Sequence, residues 1–348
     1  MSQYTLADKS PLSEQFSNVC KDALAEKPGV FLVSHAPLQL AEKEALVFKS
    51  GYEPHNTVPL KQAGEIKKSL DSTNSCAFWE TGFLMAKRVC KDRKKAIKDF
   101  KENGLNLKNA VGADLDELSN KLSTEVKETT GGRFDSVEIP KSSDNVFYHL
   151  SVLSFDIKWP EKFEKDNTYF TTLDNQEVSV PGFFTTKKFE CHVTSKDQTL
   201  IMRNGDLIYV AHMQTQDPDP FAYLGCINDP KKLIDKMREC TKQEAYVWLP
   251  DIDTQCSLEY NPPCQTEGLI NQRTAFMQNS EGAKGTVITT FIQTDSAAEP
   301  PQPQDLIFNQ PHMIAVFKET NAWWDKLNPL TTKLVPIMMG VINNPANA

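Results

Sequence analysis

The sequence predicts an α+β fold, and three observations carry that reading. Segments with helical spacing crowd the first third of the chain, while β-branched and aromatic runs dominate from residue 146 onward. Helices followed by strands, rather than a regular alternation of the two, point to segregated layers instead of a parallel βαβ sheet. No internal repeat, low-complexity tract or clear linker divides the 348 residues, so residues 1–348 are expected to form a single domain.

Leu12 to Ala25 has helical spacing and stops at Lys27-Pro28-Gly29, a breaker cluster. Val30 to Val33 is a short apolar run expected to be a buried strand. Ala36-Pro37-Leu38 opens a second helical stretch, with proline at a tolerated helix start. Phe83 to Ala86 is another strand candidate. In the basic run KRVCKDRKKAIKDFKEN that follows, Val89, Ala96, Ile97 and Phe100 recur at near-helical spacing, which leaves the lysines on a solvated face. Asp114 to Glu128 is a further amphipathic helix, closed by Thr129-Thr130-Gly131-Gly132.

The strand-rich part reads Val146 to Ile157, Tyr169 to Val180, Phe189 to Val193, Leu207 to Val210, Tyr223 to Ile227, Ala245 to Leu249 and Arg273 to Met277. One helix, Pro230 to Cys240, interrupts them.

The totals set the class. A hydrophobic share of 39% and a charged share of 24% suit a soluble globular protein. The net charge of -8 argues against nucleic acid as a partner, and no apolar run reaches the length of a membrane span. The first residues lack the basic-then-apolar pattern of a secretory signal, so a cytoplasmic protein is expected, or a mature secreted form with an added Met.

The usual signatures of catalysis are missing: no GxGxxG after a strand, no P-loop, no HExxH and no GxSxG. The six histidines do not fall at metal-ligand spacing, and His149 and His212 lie inside apolar runs where a packed imidazole is the plain reading. The chain is therefore read as not an enzyme, with no metal and no cofactor. Eight cysteines are scattered without a CxxC, and only Cys256 and Cys264 flank a segment short enough to turn back into a disulfide.

Several segments, in order, resemble the serpin family of serine-protease inhibitors. Phe16, then Pro28-Gly29-Val30-Phe31-Leu32-Val33-Ser34 and Pro37-Leu38, is similar to that family's first helix and its "NVFFSPLSI" segment, with His35-Ala36 an extra pair. ETTGGRFDSVEIPKSSDNVFYHLSVLSFDIKW resembles the region that ends "N-A-x-Y-F-K-G-x-W", with Trp159 in the tryptophan position but without the Asn-Ala and Lys-Gly elements. Asp206 to Val210 and Tyr223 to Ile227 are in the places of paired strands. Phe308-Asn309-Gln310-Pro311-His312-Met313-Ile314 looks like "F-x-x-x-P-F-x-F", and Ile337 to Pro345 resembles the closing "L-F-x-G-x-V-x-x-P".

The resemblance implies a serpin-like fold, N-terminal helices packed on large mixed or antiparallel sheets, with residues 279–307 as hinge and exposed reactive-centre-like loop. In an inhibitory serpin this loop is protease bait, and on cleavage it enters a large sheet as a new strand. Rapid entry asks for small hinge residues, because alternate side chains meet a packed core. Here Gly285-Thr286 fits the family's Gly-Thr, with Gly282 as the other choice, but Val287, Ile288 and the residues up to Phe291 stand where small residues belong. The scissile region would fall at Ala298, Glu299, Pro300 and Pro301, where the prolines resist cleavage.

The segment between Trp248 and Arg273 is shorter than its counterpart in the family, and residues 318–334 look like an insertion between the last two strands. Within it Trp323 and Trp324 are either an exposed anchor for a partner or rings packed on the body. The expected function is binding, storage, carriage or assembly by a non-inhibitory protein with a protein partner, self-association included. The alternative is an active inhibitor of a serine or cysteine protease with residues 285–307 as bait.

Overall fold

The computed structural model describes the chain apart from residues 1–2, 7–11, 27–28, 49–56, 71–72, 74, 88–89, 140, 142–146, 174, 216–219, 262–268, 290–305, 321–330 and 348. In chain order the elements begin with strand β1 (Gln3–Leu6), helix α1 (Glu14–Ala25), β2 (Val30–Val33), α2 (His35–Val47) and α3 (Thr57–Ser69). Next come β3 (Cys76–Leu84), α4 (Arg93–Glu102), β4 (Leu107–Asn109), α5 (Leu115–Thr129), β5 (Phe147–Lys158) and β6 (Glu164–Thr171). These are followed by β7 (Glu177–Val193), β8 (Asp197–Asn204), β9 (Leu207–Gln214), α6 (Pro220–Asn228), α7 (Lys231–Glu239) and β10 (Thr241–Pro250). The chain closes with β11 (Ile252–Tyr260), β12 (Ile270–Asn279), β13 (Gly282–Thr289), β14 (Leu306–Ile307), β15 (His312–Glu319) and β16 (Thr331–Ile342).

The helices start where side chains can satisfy the free amides of the first turn. Ser13 Oγ accepts from Phe16 N at 3.2 Å and sets the entry of α1, whose buried stripe is Phe16, Val19, Cys20, Ala23 and Leu24. Asp92 caps α4 through Lys95 N at 3.0 Å, and Asp114 caps α5 through Asp116 N at 2.9 Å. Among the described residues no helix is long and apolar enough to cross a membrane.

The strands form two sheets, an α+β architecture with ten strands in one and six in the other. The larger runs β1-β16-β15-β9-β8-β7-β10-β14, with β2 on β16 and β6 on β7. The smaller runs β11-β12-β13-β5-β3-β4. Their facing sides share the main core: Leu153, Phe155, Phe276 and Val287 from the smaller sheet meet Met202, Tyr209, Val316 and Ile337 from the larger, together with Leu40 of α2 and Leu60 of α3. The other face of the larger sheet is covered by α1, α6 and α7. The other face of the smaller sheet is covered by Leu122 and Val126 of α5.

Two sequence expectations need correction. Tyr223 to Ile227 is not a strand but part of helix α6. A short apolar run has no period to distinguish the two states, and here the segment is buried between α1 and the larger sheet. Tyr169 to Val180 is not one strand, because β6 ends at Thr171 and β7 begins at Glu177. The turn between them is held by Gln176 N on Thr172 Oγ1 at 3.2 Å. The ends of the segment 318–334 belong to the strands that flank it, Lys318 and Glu319 to β15 and Thr331 to Leu334 to β16.

Candidate functional site

The candidate site is β13, the strand that holds the sequence-predicted hinge. β12 and β13 form a hairpin whose turn is Ser280-Glu281, with Glu281 N bonded to Asn279 Oδ1 at 2.9 Å. β13 then lies between two partners. Every residue from Gly282 to Thr289 is paired with β12 on one side and with β5, antiparallel, on the other. β13 is thus the third strand of the six, and it is interior to the sheet. Leu306 and Ile307 sit in the other sheet, paired in parallel with Val247 and Trp248 of β10.

Alternation of side chains decides what each hinge residue meets. Ala283 and Val287 face the main core with Phe155 and Leu153. Ile288 faces the opposite way, into the cluster with Leu122 and Val126 under α5. Both Val287 and Ile288 are fully buried. The sequence reading expects such branched residues to obstruct entry into the sheet, yet the strand accommodates them on both faces. Two glycines carry the closest approaches. A Cβ on Gly285 would lie 2.3 Å from the ring of Phe155, its cross-strand partner. A Cβ on Gly282 would lie 2.1 Å from the carbonyl oxygen of Ile157. Phe155 therefore fills the space that any side chain at 285 would need.

The far end of β13 is polar. Thr289 Oγ1 accepts from Gln272 Nε2 at 2.8 Å. The same amide group accepts from Ser34 N at 2.6 Å and donates to Ser34 O at 3.0 Å. Ser34 Oγ in turn donates to Ile337 O in the larger sheet. Beside Ser34, burial pushes the His35 imidazole down to about 4, and its Nε2 contacts Ile227 O. This relay runs from the hinge strand, through β12 and the start of α2, to β16. Sequence spacing could not find it, since Ser34 and Gln272 are separated by 238 positions.

Near the hairpin, Trp159 Nε1 donates to Asn279 O at 2.7 Å, so the tryptophan quoted for the family resemblance pins the turn. Lys284 reaches Asp156 at 3.3 Å on the surface. Cys256 is a thiol that donates to Val30 O at 3.3 Å, and burial raises it to about 11. Its suggested disulfide partner Cys264 lies outside the described residues, as do Ala298, Glu299, Pro300 and Pro301, and Trp323 and Trp324.

No protein-family model matches the chain. No curated protein matches it either. Solved structures do. The chain is similar to a structure described as cleaved serpin 42Da, with a TM-score of 0.63 and 11% identity over 91% of this chain and 93% of that one. It is similar to tengpin, a thermophilic serpin in the latent state, with a TM-score of 0.62 and 12% identity over 97% and 100% of the two chains. Native protease nexin-1 with heparin gives 0.58 and 13% identity over 92% and 94%. The protein has the serpin fold.

Proposed function

We propose that this is a serpin-fold protein that does not trap proteases and acts as a binding, storage, carrier or assembly protein. One observation carries the reading: Gly282–Thr289 is already an interior strand, while Leu306–Ile307 pairs with β10 in the other sheet, only residues 290–305 lying between them in sequence. A trap that works by strand insertion draws its free energy from a sheet that is open before cleavage and closed after it. In this molecule eight residues of the strand are already inserted, so a cut further on would release little. The structures that the chain resembles include a cleaved serpin, a latent one, a loop-inserted cleaved ovalbumin and a native one, so the reading rests on the strand pairing itself.

The test is incubation with a panel of serine and cysteine proteases, followed by denaturing electrophoresis and by melting before and after a nick within residues 290–305. The expected result is no covalent complex and a melting temperature that barely moves. A denaturant-resistant complex, or a large rise in melting temperature on nicking, overturns the proposal.

The second reading, an inhibitor with residues 285–307 as bait, draws support from the burial of Val287 and Ile288 within the sheet. The same experiment decides between the two. For the partner surface, Trp323→Ala and Trp324→Ala together should reduce self-association or partner capture without lowering the melting temperature. A large loss of stability with unchanged association assigns the rings to packing instead.

A further inference from the structure

We propose that Glu44, Glu80 and His149 form a binding site for one divalent transition-metal cation of the zinc class, enclosed between α2 and the six-stranded sheet. Glu44 is on α2, Glu80 on β3 and His149 on β5. On the sheet, His149 pairs with Gly82 and Ser151 pairs with Glu80, so the imidazole and the carboxylate are diagonal neighbours on one face. That face is the one turned to α2, as the burial of Phe78 and Leu153 in the main core shows. One donor atom from each of the three residues lies within 4.8 Å of the others.

Glu44, Glu80 and His149 are 0%, 1% and 8% exposed. Hydrogen bonds satisfy only part of them. His149 Nδ1 lies 2.9 Å from Glu44 Oε2. Lys67 Nζ and Asn106 N both donate to Glu80 Oε1, at 2.6 and 2.9 Å. Glu44 Oε1, Glu80 Oε2 and His149 Nε2 have no hydrogen-bond partner among the described residues. Buried polar atoms left without partners are costly, and three in one cluster point to a missing ligand.

The donor set says which ligand. Two carboxylates and one imidazole suit a borderline divalent cation at about 2.0–2.2 Å, and leave a fourth position for water. Calcium would want six or more oxygens, and thiolate-seeking ions find no sulfur here. A cation would take one donor atom from each of the three residues, drawn from the set that lies within 4.8 Å, with the unpartnered carboxylate oxygens of Glu44 and Glu80 among the atoms on offer. Donor atoms around a tetrahedral cation lie about 3.4 Å apart, so side-chain torsions must open the 2.9 Å His149–Glu44 contact slightly and close any wider separation within the cluster.

Charge leads to the same conclusion. Two carboxylates against Lys67 leave one negative charge uncompensated when His149 is neutral, and a proton on His149, a proton on Glu80 (whose carboxyl burial raises) or a cation makes it good. The protonated and cation-bound forms differ measurably, because a cation displaces the proton. The site would tie α2 to β3 and to β5, and β5 is the strand on which β13 lies.

The experiment uses the full chain, stripped with a chelator and titrated with Zn²⁺ by calorimetry in buffers of different ionisation enthalpy. A parallel sample takes ¹¹³Cd²⁺ and is read by NMR. One equivalent bound, release of a proton, a cadmium resonance in the nitrogen/oxygen range and a higher melting temperature are expected. Glu80→Gln and His149→Asn should each weaken binding at least tenfold, while His192→Asn, at a half-buried imidazole beside Glu239, should leave it unchanged. Absence of binding overturns the proposal, as does a cadmium resonance in the thiolate range or binding lost with His192→Asn. The cadmium shift is read on the unaltered chain, so the test stands even where the buried variants do not fold.

Discussion

The two ends of strand β13 are held in place by different physics. At the hairpin end, Gly282 and Gly285 pack by shape against Ile157 and Phe155, and what matters is the absence of a side chain. At the far end, Thr289, Gln272 and Ser34 are joined by directional hydrogen bonds in a buried setting. The first end should tolerate polarity changes nearby but not volume changes. The second end should be the reverse, sensitive to protons and to loss of a single donor.

The largest effect is expected at the shape-determined end. Phe155→Ala removes a 3% exposed ring that covers Gly285, and should cost about 3–5 kcal/mol in denaturant titrations. The sharper form is a double-mutant cycle. Gly285→Ala clashes with the ring in the parent chain, and should cost much less once Phe155 is alanine, with a coupling of about 1–3 kcal/mol. Additive effects at these two positions would break the idea that they are a matched pair.

The polar end should respond to acid. His35, next to Ser34, is held at about 4 by burial against an ordinary value of 6.5. Its folded value is depressed, so the stability it contributes is fully present above pH 6.5 and is lost as pH falls through about 4. The lost amount is about 3 kcal/mol, with a slope of ~1.4 kcal/mol per pH unit in that window. His212 and His312 are likewise held at about 4 by burial, so the whole chain weakens in acid, and the His35 share is the difference between the parent and His35→Phe. Identical pH slopes for the two chains would remove His35 from the account. Hydrogen exchange should show acid loosening Thr289 before Gly285.

Gln272→Leu tests the same end without changing charge. It strips Ser34 N and Thr289 Oγ1 of a buried partner, and should cost about 2 kcal/mol in the same titrations. Gln272→Glu should fare no better, since a carboxylate cannot donate to Ser34 O and Thr289. A loss below ~0.5 kcal/mol for the leucine variant would mean that the relay is not what fixes this end.

How much of this was legible in the sequence follows from the range of the interactions involved. Local signals were readable: the stop at Pro28-Gly29, the Asp114 cap of α5 and the spacing of Phe16, Val19 and Ala23 are all written within a few residues. The serpin-like order of segments was readable too, and the fold agrees with it. Tyr223 to Ile227 was misread because a fully buried helix turn and a buried strand have the same apolar composition. The place of Gly282–Thr289 inside the sheet was not legible, since branched residues in a strand look alike whether the strand is at an edge or between two neighbours. The His149 cluster was invisible for a further reason. Its members come from a helix and two strands, 105 positions apart at the widest, and no local spacing records that.

The smallest effect sharpens the comparison by its absence. Lys284 is the exposed residue of β13, and its ion pair with Asp156 at 3.3 Å lies in solvent with both side chains 46% exposed. Water screens such a pair and ordering two flexible side chains costs entropy, so Lys284→Ala should change stability by less than ~0.5 kcal/mol. If the hinge strand is held by shape at one end and by buried hydrogen bonds at the other, its one outward charge contributes nothing to keeping it in the sheet. Hydrogen exchange at Gly285 and Val287 should therefore be unchanged in Lys284→Ala at low and high salt. Faster exchange at low salt alone would show that surface charge also holds the strand, and would weaken the division between the two ends.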